Sequence, residues 1–374
     1  MGVEPVFKLC HKTSPVTRRN SRDAIDEAAP WRRFAEPGLS WMPRIVGFLA
    51  FHADGDGHGT TQEIRLQQST SITCHRCQDL PQRKFADTAG IERMSTTIIT
   101  EHPGWHETDR GEALRVVEHQ GAVWLAHWRG DGLIIHSVGD APGSAQADPP
   151  PVALTSSEDL PRDLEAAPLV GRLASLGTVA RLTNPSLWDA ITTALLRQVV
   201  RAGQAKKVYR DYCAAYGRTI ETFAGSSALV PDADTVLSLT DRQFTAVGAA
   251  FNRTALRAAA EAYLGNGERW RTLEADRLTK DLIEVPRIGP WTAAAASADY
   301  TGDFSVYPHG DLAVRTWARK AAPASLELPS TEREFEGLWH RWAPDSHVLH
   351  ALTLFTLTWG SHVRDAQHGG RHRT

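Results

Sequence analysis

The chain has 374 residues, 41% apolar and 23% charged, with a net charge of −3. This is an ordinary globular composition, and the length suits two or three domains. The longest apolar runs, IVGFLAF and AAAA, are too short to span a bilayer, and four cysteines are too few for a disulfide framework. A membrane partner is therefore excluded and a reducing, cytoplasmic setting expected. The negative net charge weighs against nucleic acid but leaves room for a local basic face.

Residues 1–93 hold no helical or alternating pattern for long and are rich in Arg, Asp, Gly, Ser and Thr. They read as a disordered extension or a mis-assigned start, with ordered patterning from Met94 onward. The opening MGVEPVFKLCHKTSPVTRRNSRD has no apolar core of the kind an export signal needs. Cys74 and Cys77 form an isolated CHRC pair, with Cys10-His11 far upstream. Two ligands do not make a zinc site, so no metal and no cofactor are expected.

Residues 94–150 read as a small antiparallel β domain. EALRVVEH, AVWLAHW and LIIHSV are short β-rich runs separated by QG and RGDG, both hairpin signals. The linker APGSAQADPPP (141–151) closes this part. From there to residue 374 the chain reads as helical. NPSLWDAITTALLRQVV is expected to open with Asn184 as N-cap and Pro185 at the first helical position. AGQAKKVYRDYCAAYG ends at Gly217, DADTVLSL and TDRQFTAVGAAF have acidic starts, and NRTALRAAAEAYLGNG is expected to end at Gly265. FEGLWHRWAP and DSHVLHALTLFTLTWG close the chain, and no internal repeat is present.

Within this helical part, Arg197, Arg201, Lys206, Lys207, Arg210 and Arg218 stand against a single acid, Asp211. Further on, LIEVPRIGPWTAAAASA reads as helix, sharp turn, helix. Pro286 ends one helix, Gly289 supplies a turn conformation and Pro290 starts the next helix. Exposed N–H groups at such a helix start are suited to holding a phosphate. About twenty residues later, YPHGDLAVR places Asp311 behind a Pro-His-Gly turn.

The P-x-I-G-P-W-T-A turn followed by P-x-G-D-L-x-V-R, with the basic helix and LSLTDRQFTAVGAAFNRTALRAAAEAYLGNG upstream, resembles the helix-hairpin-helix DNA glycosylase superfamily. A β-rich module ahead of the helices is similar to the AlkA-like 3-methyladenine DNA glycosylase II branch. The resemblance covers about 110–360. It implies an α+β fold, mainly helical, with two helical lobes around a DNA-binding cleft. It also implies a monomer acting on double-stranded DNA that contains a damaged base, near the nucleoid.

The resemblance further implies roles. Asp311 is the catalytic carboxylate, Trp291 and His309 line the base pocket, and Gln198 and Val199 fill the gap left by the extruded base. Arg197, Arg201, Lys206, Arg287 and Gly289 hold phosphates. A carboxylate suits this chemistry because breaking an N-glycosidic bond builds positive charge on the sugar. An alkylated base is expected because a cationic purine favours an aromatic face such as that of Trp291. Trp291 stands where strand-cleaving relatives carry a lysine, so hydrolysis without strand cleavage is implied. The alternative is a DNA-binding protein on a glycosylase scaffold with weak or no catalysis. Arg287 replaces the first hairpin glycine, and Ala295 stands where a second pocket aromatic would be. His347 and His350 read more readily as structural histidines than as pocket groups.

Overall fold

Alternation in the β-rich runs sends one face of each strand inward, and the structure pairs them on that basis. In the computed structural model the described residues are 61–63, 96–99, 101–108, 112–129, 133–138, 147–198, 200 and 202–368. The strands β1 (Thr61–Glu63), β2 (Thr96–Ile98), β3 (His106–Glu107), β4 (Ala113–His119), β5 (Ala122–Trp128) and β6 (Leu133–Val138) come first. Five of them form an antiparallel sheet in the order β1-β6-β5-β4-β3. The QG hairpin joins β4 to β5 with Gln120 and Gly121 both at positive φ, as a two-residue turn requires.

The β-rich part does not stop at 150. Strands β7 (Val152–Ser156) and β8 (Thr178–Leu182) follow, with the short helix α1 (Ala167–Leu173) between them. β8 pairs antiparallel with β7 and parallel with β2. Ile98, Ala180 and Leu182 share a buried cluster with Trp105, Val117, Trp124, Trp128 and Ile135 of the β-rich part. The domain boundary expected at 150 therefore falls within a continuous β module. Its linker composition hid the return of β structure.

The helices follow as α2 (Leu187–Leu196), α3 (Ala202–Tyr216), α4 (Ala233–Ser238), α5 (Asp241–Ala246), α6 (Arg253–Trp270), α7 (Ala275–Ile283), α8 (Pro290–Thr301), α9 (Leu312–Ala321), α10 (Glu332–Trp342) and α11 (Ser346–His368). Between α3 and α4 lies a small hairpin, β9 (Thr219–Thr222) and β10 (Gly225–Ala228). A single buried cluster runs from Leu187 and Leu195 of α2 through Leu256, Leu282 and Ala296 to Phe335, Trp339 and Phe355. One group of helices, α2 to α8, thus meets a second group, α1 and α9 to α11, across a shared core. This is the α+β architecture expected, with helices predominating.

Two helix ends differ from expectation. α2 is capped by Ser186, whose hydroxyl accepts from the Asp189 amide at 3.1 Å. Asn184 is buried and spends its amide on Asp299 at 2.8 Å, so tertiary contact displaces it from the cap. α6 runs past Gly265 to Trp270, because Gly267 and Trp270 are both buried and core packing outweighs glycine's low helix propensity.

Candidate active site

The site is built from three turns. The first is the end of α2, where Arg197 is the C-cap and Gln198 follows. The Gln198 amide donates to the Thr292 hydroxyl at 2.7 Å and to the Arg287 carbonyl at 3.4 Å, tying this turn to the hairpin. Val199 and Arg201 lie outside the described residues. Val200 between them is exposed.

The second turn is the hairpin between α7 and α8. Pro290 takes the first helical position, and no side chain caps the helix start at Gly289. Gly289 has φ −85°, open to any residue, so the sequence-based account of this glycine is corrected. Arg287 takes the left-handed conformation instead, at φ 73°. For a non-glycine residue this costs about 1–2 kcal/mol. A Cβ on Gly289 would meet nothing within 4 Å. The glycine leaves open space in front of α8's first N–H groups, as an approaching phosphate requires.

The third turn, 307–311, presents Asp311 as the N-cap of α9. The Tyr307 hydroxyl donates to Asp311 Oδ2 at 3.1 Å. Burial raises the pKa of the carboxyl. The Tyr307 hydroxyl, the Arg197 charge, the Leu312 amide and the Trp291 indole N–H oppose that rise by stabilising the anion. Asp311, Trp291, Arg197 and Tyr307 therefore converge, and Gln198 joins them through Thr292 and Arg287.

The turn itself is fixed from behind. The buried Arg315 donates to the Gly310 carbonyl at 2.8 Å, and the Gly310 amide donates to Glu336 at 3.2 Å. A Cβ on Gly310 would come within 2.5 Å of Glu332 and 2.7 Å of Glu336, so any larger residue there would have to push both glutamate side chains aside. Arg315 is accordingly a positioning residue.

Next to these turns is a cavity of about 220 Å³ walled by residues including Arg197, Lys206, Phe304, Tyr307, Ala313 and Trp317. Phe304 stacks on Tyr307 at 5.8 Å between ring centroids. Trp317 fits because α11 offers Gly360, where a Cβ would sit 2.2 Å from the indole. The wall is therefore more aromatic than Ala295 alone suggests. The Tyr four residues before Asp311 and the Trp six after it were visible in the sequence, but only the folded turn shows that they share a wall.

Three sequence expectations are corrected. His309 is not among the residues walling this cavity. It is buried, with its ring edge-to-face on His340 of α10 at 4.9 Å. Burial and the neighbouring His340 lower its pKa to about 4, so it is neutral at physiological pH. Lys206 is half-buried on the cavity wall and pairs with Glu107 at 3.7 Å, rather than standing on an open phosphate-binding face. Of the basic run, Arg210 donates to the Pro103 carbonyl at 3.1 Å and to Trp105, Arg218 pairs with Glu118, and Lys207 pairs with Asp211. Contacts with the β module and local acids absorb most of that charge. His347 pairs with Asp159, and His350 accepts from the Phe304 amide at 2.9 Å, both structural roles.

A buried polar network joins α2 to α3 and to the β module. Asp189 bonds to the Tyr209 hydroxyl at 2.7 Å and lies 3.3 Å from both Arg115 and His102. Burial would raise its pKa, but these partners outweigh that and hold it far below the usual range. Arg181 similarly binds Asp299 and Glu101, joining β8 to α8. Among the described residues, no group of three or more His, Cys, Asp or Glu side chains is placed to hold a metal. The CHRC motif lies outside them.

The fold that carries these turns is shared with solved structures. The 8-oxoguanine glycosylase/lyase of Clostridium acetobutylicum superposes with a TM-score of 0.51 at 15% identity, over 70% of this chain and 89% of that one. The 3-methyladenine DNA glycosylase of Archaeoglobus fulgidus gives 0.52 at 16% identity, over 71% and 90%. MBOgg1, in complex with a low-affinity DNA ligand, gives 0.55 at 14%, over 84% and 99%. The chain has the helix-hairpin-helix DNA glycosylase fold. No protein-family model and no curated protein sequence matches it. No described helix is long and apolar enough to cross a membrane.

Proposed function

We propose that this helix-hairpin-helix protein is a monofunctional DNA glycosylase. It acts as a monomer on double-stranded DNA in the nucleoid, releases a damaged base and leaves an abasic site. The observation that carries this reading is Asp311, a carboxylate fixed at a helix start beside an aromatic-walled cavity and within reach of Arg197 and Trp291.

The hairpin's uncapped N–H groups and Arg287 grip one phosphate of the damaged strand. The base leaves the stack, at a cost of a few kcal/mol, and enters the cavity. Gln198, just past the end of α2, stands toward the gap left behind. As the C1′–N bond breaks, positive charge grows on the sugar, and the Asp311 carboxylate stabilises it. Water then adds to C1′, its proton passes to solvent, and the base leaves with the bonding electron pair. The positive end of α9 keeps Asp311 anionic for this role.

From sequence, Trp291 suggested an alkylated base stacked on its ring. In the structure its indole N–H favours the charged form of Asp311, which supports a role beside the carboxylate rather than under the base. Trp291 also occupies the place of the lysine that strand cleavage needs, supporting hydrolysis alone. Incubation with lesion duplexes should yield strands that break only after alkali. A borohydride-trapped covalent complex would contradict the monofunctional reading. Tight duplex binding with no base released would mark a DNA-binding protein on this scaffold instead.

A further inference from the structure

Breaking a C1′–N bond separates charge, positive on the sugar and negative on the departing base. On the glycosylase reading, on which this inference rests, Asp311 answers the first charge. The second calls for a cation on the side where the base leaves. Arg197 stands there. It is the C-cap of α2, a helix buried along its whole length, and Gln198 beside it is tied to Thr292 and Arg287. Its backbone is therefore fixed on both sides. The side chain is half-buried, lines the cavity, and acts on both Asp311 and Tyr307 through its charge. Among the described residues its guanidinium takes part in no hydrogen bond or ion pair. The acids on the wall do not neutralise it, because Glu101 and Asp299 are both bound to Arg181. The negative end of α2 offsets the cost of holding a cation that has no acid partner.

We propose that Arg197 is a second catalytic residue, which holds the departing base by its acceptor atoms and stabilises the negative charge that base takes up as the bond breaks. A guanidinium presents five donors in a rigid fork, suited to adjacent acceptors on a flat ring. A charged donor already in place where charge appears needs little reorganisation at the moment of reaction. The bonding pair of C1′–N passes to the base nitrogen. The water oxygen adds to C1′ and gives its proton to solvent, and the base anion, released against the guanidinium, takes a proton from solvent. Asp311 and Arg197 thus place a negative and a positive charge at the two ends of the breaking bond. This use replaces the phosphate contact expected for Arg197, because a phosphate stays with the backbone while this guanidinium lines the base cavity.

The test uses the full-length protein under single-turnover conditions on duplexes with one modified base as probe. Hypoxanthine and 8-oxoguanine leave as anions, whereas the cationic N7-methylguanine leaves as a neutral base. Arg197→Met should slow release of an anionic leaving base about 100-fold, with melting temperature and the salt slope of undamaged-duplex binding unchanged. Arg197→Lys keeps the charge and should restore part of the rate. Where wild type also releases N7-methylguanine, its loss in Arg197→Met should be at least about tenfold smaller, since no negative charge forms on that base. Equal slowing of both kinds of base would overturn the inference and leave the glycosylase reading standing. So would an Arg197→Met variant as fast as wild type, a salt slope lower by about one, which marks a phosphate contact, or a wild type that releases N7-methylguanine alone. If wild type releases none of the three bases, both readings fall.

Discussion

The hairpin turn at 285–290 and the turn at 307–311 have similar sequences, each with a Pro and a Gly ahead of a helix, yet they are built in opposite ways. The hairpin is open. Gly289 has space in front of it, the helix start has no cap, and the strained residue Arg287 is exposed. The second turn is closed on every side, by Glu332 and Glu336 against Gly310, by Arg315 on its carbonyl and by Tyr307 on the carboxylate. A turn that binds a ligand must leave donors unsatisfied for it. A turn that holds a charge must spend its donors on keeping that charge still.

The same substitution in the two turns should therefore give different outcomes. Gly310→Ala forces a methyl into the space of Glu332 and Glu336, and should cost about 1–3 kcal/mol of stability. It should also slow excision by moving Asp311. Urea unfolding and single-turnover rates measure both effects, and a fully stable, fully active variant would show that the second turn is not tightly held. Gly289→Ala has an ordinary backbone angle and open space, so stability should change little. Its methyl would obstruct the phosphate, so duplex affinity should fall. Unaltered affinity would remove the hairpin from the DNA interface.

Tyr307→Phe sits between these in effect. It removes a hydrogen bond to a charged acceptor, worth about 1.5–3 kcal/mol, and excision should drop by about ten-fold or more. The lost donor had been opposing the raised pKa of Asp311. The acid limb of the pH–rate profile should therefore move to higher pH in this variant. A limb that stays in place would mean that another group titrates there.

Much of this contrast was legible in the sequence, and the rest was not for definite reasons. The order of hairpin, Pro-His-Gly turn and Asp311 is set by local residues that fix backbone direction, so it could be read directly. The use made of each charge could not. Lys206, Arg210 and Arg218 looked alike as a basic run, yet the β module supplies Glu107, the carbonyls of Pro103 and Trp105, and Glu118 from more than 90 residues away in the chain. His309 was misplaced because a turn sends alternate side chains to different neighbours, and only α10 shows where this one goes. The return of β structure at β7 and β8 was concealed because β8 pairs with β2, which lies far upstream.

The smallest effect belongs to Arg287→Gly. Relief of about 1–2 kcal/mol of backbone strain is offset by about 0.5–1 kcal/mol of extra chain entropy in the unfolded state. Stability should stay level or rise slightly. The loss of one phosphate-reaching cation should lower the salt slope of duplex binding by about one. An unchanged slope would make Arg287 a conformational residue alone.

Asp311→Asn, measured for excision rate and melting temperature together, decides whether the held carboxylate is the catalytic group. Burial lifts the Asp311 pKa in the fold above its unfolded value. The stability this gives is present at low pH and is lost as pH rises through the folded pKa, so at neutral pH the charged side chain weakens the fold. Removing the charge should raise the melting temperature at pH 7, leave duplex binding near wild type, and reduce base release by at least about a hundredfold. A variant that excises at the wild-type rate would refute the catalytic role of Asp311, whatever its stability.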